Sequence, residues 1–147
     1  MSISGGSFSH DESRLLVTSN ETGIYNAYTI DLKTAERTQL TFSDKESVFA
    51  ISFFPEDDRF LFLSDRGGNE IKHTYLQDEE GNVEDLTPWE GARSNFGGWT
   101  RDGKHFFFVS NKRDQRFMDL YRLDIETVES EMIYENKENL SPALKWI

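Results

Sequence analysis

The sequence predicts an all-β fold, a partial β-propeller of three four-stranded antiparallel blades plus the first strand of a fourth. Three observations carry this expectation. An aromatic-turn motif recurs as Phe8-Ser9-His10-Asp11, Phe54-Pro55-Glu56-Asp57 and Trp99-Thr100-Arg101-Asp102, 46 and 45 residues apart, and Trp146 follows 47 residues later. Each copy is followed by a short, unbroken apolar run. Aromatic residues make up 14% of the chain, twelve of them Phe, and aromatics in short runs favour strands. A repeat of about 45 residues holding four strand-like segments is the size of a propeller blade.

The apolar runs are Arg14-Leu-Leu-Val-Thr-Ser19, Arg59-Phe-Leu-Phe-Leu-Ser64 and His105-Phe-Phe-Phe-Val-Ser110. They are too short for helices, and continuous apolarity implies burial on both faces, so they are central strands. Polar turns are expected next, at Asn20-Glu-Thr-Gly23, Asp65-Arg-Gly-Gly68 and Asn111-Lys-Arg-Asp114. Third strands carry Tyr28, Tyr75 and Tyr121 with largely alternating polarity. Thr38-Gln-Leu-Thr41, Glu84-Asp-Leu-Thr87 and Glu131-Met-Ile-Tyr134 supply short, polar outer strands. Innermost strands precede the aromatic anchors, at Ser47-Val-Phe-Ala-Ile-Ser-Phe53, Ser94-Asn-Phe-Gly-Gly98 and Leu140-Ser-Pro-Ala-Leu-Lys-Trp-Ile147. The blades are therefore expected at 1–46, 47–92 and 93–139 of a single domain, with 140–147 as the inner strand of a further blade. A β-sandwich also has short, evenly spaced strands, but it does not require one grammar to recur three times. No segment shows a long helical stripe.

The order of Phe-Ser-x-Asp, apolar strand, Ser-Asn/Asp, Gly turn, Tyr-x-x-Asp strand and Leu-Thr resembles the WD40-like repeat of TolB-type proteins and of the N-terminal propellers of prolyl oligopeptidase-family serine peptidases. The segments Ser19-Asn-Glu-Thr-Gly-Ile-Tyr-Asn-Ala-Tyr28 and Phe49-Ala-Ile-Ser-Phe-Phe-Pro-Glu-Asp-Asp58 look especially like bacterial peptidase propellers, as does Ser64-Asp-Arg-Gly-Gly-Asn-Glu70. The resemblance covers nearly the whole chain. It implies a non-catalytic segment that gates substrate for a hydrolase domain, with a TolB-type interaction scaffold as the alternative.

The net charge of −11 disfavours nucleic acid and anionic membranes as partners. With no cysteine, disulfides and thiolate metal sites are excluded. No signal-peptide pattern or eighteen-residue apolar span is present, so a soluble, cytoplasmic protein is the expectation.

No catalytic, cofactor-binding or metal-ligating residue is assigned. The Gly-x-Ser-x-Gly elbow of a serine hydrolase is missing, and the chain is expected not to be an enzyme. Gly97-Gly98 reads as close packing near the propeller axis. His10, His73 and His105 occupy different blade positions, which argues against a shared metal site. Asp11, Asp57 and Asp102 recur, as turn aspartates that accept backbone hydrogen bonds would. Asp78-Glu79-Glu80-Gly81 reads as a solvated loop, and Asp65-Arg-Gly-Gly-Asn69 lacks calcium-loop spacing. Arg66, Arg93 and Arg113 are either channel-lining groups for a peptide carboxylate or surface charges.

Closed propellers have about four to eight blades, so three leave two apolar faces to cover. The partner is expected to be a missing C-terminal hydrolase domain or a second copy that closes a six-bladed ring, with peptides as ligands. In the second case 140–147 is expected to swap into, or pair beside, the inner edge of the partner's first blade, where Ser4-Gly5-Gly6 has little to pack.

Overall fold

The computed structural model describes residues 3–66 and 69–137. Among the described residues twelve strands form three sheets, each a simple antiparallel meander. The first is β1 (Ile3–Phe8), β2 (Arg14–Ser19), β3 (Asn26–Asp31) and β4 (Arg37–Gln39). The second is β5 (Val48–Phe53), β6 (Phe60–Ser64), β7 (His73–Gln77) and β8 (Val83–Asp85). The third is β9 (Ser94–Trp99), β10 (His105–Asp114), β11 (Phe117–Asp124) and β12 (Ser130–Tyr134).

The repeat is visible in the register. Val17 pairs with Tyr28, Phe62 with Tyr75 and Phe108 with Tyr121, so the three tyrosines occupy one position of the blade. All three inner strands also slip by one residue. The slip falls between Ser4 and Ser7 in β1, at Ile51 in β5 and at Gly97 in β9. A bulge adds right-handed twist and bends the strand it sits in. Glycine relieves crowding in the third copy, where a β-carbon on Gly97 would stand 3.2 Å from the Phe107 carbonyl oxygen. Its close approach is thus to the neighbouring strand, not the propeller axis, and Gly98 beside it has a φ of 135°.

Adjacent blades are joined by apolar cores and a few repeated hydrogen bonds. Leu16 and Ala27 of the first blade pack with Phe60 and Phe62 of the second. Leu61 and Leu86 of the second pack with Phe106, Phe108, Tyr121 and Leu123 of the third. Alternate residues of β6 thereby serve two different cores, which is why its sequence is apolar throughout. Val48 N–H donates to the Tyr25 carbonyl (2.9 Å), and one blade later Ser94 N–H donates to that of Lys72 (2.9 Å). Ser7 Oγ accepts Phe53 N–H (3.0 Å), and Ser52, at the matching position, accepts the Trp99 indole N–H (3.0 Å).

Three expectations are corrected. Asn111-Lys-Arg-Asp114 is not a turn: β10 continues through it, and Asp114 pairs with Phe117 across a hairpin tip at Gln115 and Arg116. Its charged residues are accommodated because each finds a partner: Arg113 in Asp119 across the hairpin, Asp114 in Arg116 at its tip, and Lys112 in Ser130 of β12 and the Trp89 ring. Secondly, the chain's own β1 forms the inner strand of the first blade, so that position is filled. The pairing of main-chain groups does not need large side chains there. Thirdly, the outward faces of the end blades are not broadly exposed, since Val17, Tyr28 and Leu120 are buried. Apart from Met132 in β12, the exposed large apolar side chains among the described residues are at strand ends and loops, Phe8 and Phe42 foremost. The expectations for Trp146 and 140–147 lie outside the described residues.

Candidate functional site

A meander places its loops at two ends, and here the ends differ in charge. The inner-to-central and third-to-outer connections share one end, in loops 9–13, 31–36, 54–59, 78–82, 100–104 and 124–129. These carry fourteen Asp and Glu against four Lys and Arg. The opposite end holds loops 20–25, 40–47, 65–72, 86–93 and 111–116, with seven of each sign. Most of the net charge of −11 therefore sits at one end.

Local turn chemistry explains many of those carboxylates. Asp11 Oδ1 accepts Ser13 N–H (3.0 Å), Asp57 Oδ1 accepts Arg59 N–H (2.9 Å) and Asp102 Oδ1 accepts Lys104 N–H (3.0 Å). The third-to-outer loops repeat the device at Asp31, Asp78 and Asp124. The Thr34 and Lys33 N–H groups hold Asp31 below the usual carboxylate range, and the Thr100 hydroxyl with the Lys104 N–H does so for Asp102. Asp78-Glu79-Glu80-Gly81 is the β7–β8 hairpin loop, and Asp78 accepts the N–H groups of Glu80 and Asn82.

The cavity best furnished with chemistry lies at the other end of the second blade, with a volume of about 460 Å³. Two connections and two strand ends build it: Arg66, Asn69 and Ile71 from the β6–β7 loop, His73 and Tyr75 from β7, Asp85 from β8, and Pro88 and Glu90 from the β8–β9 loop. His73 Nδ1 lies 2.7 Å from Asp85 Oδ2, while Asp85 Oδ1 accepts Thr87 N–H (2.9 Å). An ionised carboxylate only accepts, so in this contact Nδ1 carries the proton, and Nε2 has no hydrogen-bond partner among the described residues. The imidazole stacks near Tyr75 (6.4 Å between centroids), and Tyr75 stacks on Phe62 (5.2 Å). The aromatic wall is thus fixed from behind. Arg66 is exposed and forms no ion pair among the described residues.

At the same end of the third blade, Asp119 is a fully buried carboxylate. Arg113 Nε donates to its Oδ2 (2.7 Å) and Asn136 N–H to its Oδ1 (2.8 Å). Tyr121 packs beside it, and burial, reinforced by the Asp119 charge, pushes its phenol up to about 12. Lys112 Nζ sits 3.7 Å above the Trp89 ring, and burial lowers its pKa.

The residues singled out by sequence are dispersed. His10 lies 3.5 Å from Asp58, His73 pairs with Asp85 and His105 lies 3.3 Å from Asp124. Among the described residues no group of three or more His, Asp or Glu is placed to hold a metal ion. Of the three arginines, Arg66 lines the cavity, Arg93 is exposed and Arg113 is tied to Asp119. Asp85 and Asp119 were not anticipated. Asp119 stands where the earlier blades have Asn26 and His73, each opposite the last Ser of a central strand. A polar residue recurring opposite a buried strand end was the available signal.

Solved structures with a similar fold include a TolB from Acinetobacter baumannii, with a TM-score of 0.73 and 24% identity over 90% of this chain. A prolyl endopeptidase matches at 0.69 and 12% identity over 91%. The chain folds as part of a β-propeller. A puromycin-hydrolyzing peptidase from Mycobacterium tuberculosis matches over 97% of the chain, at 0.66 and 18% identity. This partial propeller spans 32% of the TolB chain, 22% of the endopeptidase and 21% of the mycobacterial peptidase. No protein-family model matches the chain. No curated protein sequence matches it. Among the described residues, no helix is long and apolar enough to cross a membrane.

Proposed function

We propose that this chain is a non-catalytic propeller segment that gates or orients peptide substrates for a serine peptidase domain lying outside its 147 residues. The observation that carries the reading is the three-blade likeness to peptidases of which this chain spans about a fifth, 22% and 21%. Repeat motifs similar to those of peptidase propellers support it from the sequence side. The test is to express the whole coding sequence and the 147-residue chain side by side. The whole product is expected to hydrolyse peptides and to be blocked by a serine-directed reagent, and the chain alone to do neither. A whole product with no Gly-x-Ser-x-Gly elbow and no hydrolysis overturns the reading.

The higher TM-score and identity of the TolB match favour a second reading, a TolB-type protein-interaction scaffold that closes its ring by homo-oligomerisation. Its signatures are a solution mass of two copies and recovery of a stable partner without peptide hydrolysis. A monomeric mass refutes the closed ring. The cytoplasmic setting belongs to the first reading and is tested by fractionating the source cells.

A further inference from the structure

We propose that the cavity of the second blade is a binding site for a free carboxylate next to an amide N–H, the chemistry of a peptide's C-terminal residue. The peptide source rests on the gating reading, whereas the site rests on its own geometry. Its volume of about 460 Å³ falls in the range of small-ligand sites, about 300–1,000 Å³.

The donors and acceptors on its walls divide into engaged and free groups. Asp85 is engaged on both oxygens, by His73 and by Thr87 N–H, so its carboxylate is held in place by the protein. The Asn69 side-chain oxygen accepts Ile71 N–H (2.9 Å), which leaves its amide N–H₂ as a donor. Arg66 adds a guanidinium with no ion partner among the described residues. A guanidinium beside an amide donor matches the two oxygens of a carboxylate.

Glu90, from the β8–β9 loop, also lines the cavity, is exposed and offers a carboxylate acceptor. It repels any anionic ligand, and the N–H that an acylated amino acid carries next to its carboxylate offsets that repulsion by donating to it. Ile71, Tyr75 and Pro88 supply the apolar contact for its side chain. The charge distribution acts in the same sense: the far loop end is strongly acidic and the cavity end is balanced, so an anionic terminus is driven from one end and not the other.

The test uses the 147-residue chain titrated with N-acetyl-leucine at low salt and followed by NMR or calorimetry. Saturable binding is expected, with N-acetyl-leucine amide about tenfold weaker because the charge-assisted hydrogen bonds are lost. Isocaproate keeps the carboxylate and the branched chain but has no N–H, and it is expected to bind more weakly than N-acetyl-leucine. Arg66→Gln, at an exposed position, should weaken binding about tenfold with an unchanged near-ultraviolet circular dichroism spectrum. Arg116→Gln, at the same end but paired with Asp114, should leave it unchanged. No saturable binding, equal affinity for acid and amide, or an indifferent Arg66→Gln overturns the site. Isocaproate binding as tightly as N-acetyl-leucine overturns the peptide terminus and favours a simple organic acid. Peptidase activity does not enter the assay, so its failure and that of the gating reading are separable.

Discussion

Asn26 and Asp119 lie near the starts of the third strands of the first and third blades, each opposite the last Ser of the central strand, and each holds the chain as it leaves the outer strand. Asn26 does so alone: its Nδ2 donates to the Ser43 carbonyl (3.0 Å) and its Oδ1 accepts Ser43 N–H (2.9 Å). In the third blade the two functions are divided. Asp119 Oδ1 accepts Asn136 N–H (2.8 Å), and Arg113, anchored on Asp119, donates to the Asn136 carbonyl (3.3 Å). An ion pair has replaced one amide. A buried ion pair is weak support for stability in itself, but removing one partner leaves a buried group unmatched. Asp119→Ala strands the Asn136 N–H and is expected to cost about 2 kcal/mol. Asp119→Asn restores both functions on one side chain, as at Asn26, and is expected to cost less than half as much. Urea unfolding of the two variants checks this. Arg113→Met should also be milder in the Asp119→Asn background than in the wild type. Equal losses for Ala and Asn would refute the equivalence.

Among the elements, the third-to-outer hairpins show where local sequence and backbone conflict. Gly81 supplies a φ of 91° in the β7–β8 loop, but Ala35 (62°) and Val128 (61°) adopt the left-handed region in the other two. That region costs a non-glycine residue about 1–2 kcal/mol. Ala35 is exposed, so Ala35→Gly should relieve strain and raise stability by up to about 1 kcal/mol, net of glycine's entropy cost. Its thermal midpoint should rise, and a fall would show that Ala35 is not strained. Val128 packs against the core between the second and third blades, and the same change there forfeits that contact. The central strands were legible because Phe60 and Phe62 face one core and Leu61 the next, which demands an unbroken apolar run. The end of β10 was not, because Lys112, Arg113 and Asp114 have turn-like composition and only the folded hairpin shows their partners. The cavity was illegible for a similar reason. Arg66 and His73 could be named from sequence, but Asp85 and Glu90 join them only when two loops of one blade converge.

At the scale of the molecule, the two cores are distinct clusters that meet only through the second blade. Neighbour-to-neighbour packing makes stability approximately a sum of blade and interface contributions. The second blade is covered on both faces within the described residues, while each end blade shares one inter-blade core. Local openings of the first or third blade therefore expose a single core, but opening the second must expose both, at a free energy near that of global unfolding. Native-state hydrogen exchange should accordingly find the most protected amides in β6, with Leu61 among them, and faster exchange in β2 and β10. The ordering separates the two proposed settings. A second copy that completes a ring would cover the end blades and raise β2 and β10 toward β6, in proportion to protein concentration. An ordering independent of concentration, with β6 slowest, counts against a ring closed by a second copy. Protection greatest in β2 or β10 would mean that the end blades are held by something other than the two cores between these three sheets.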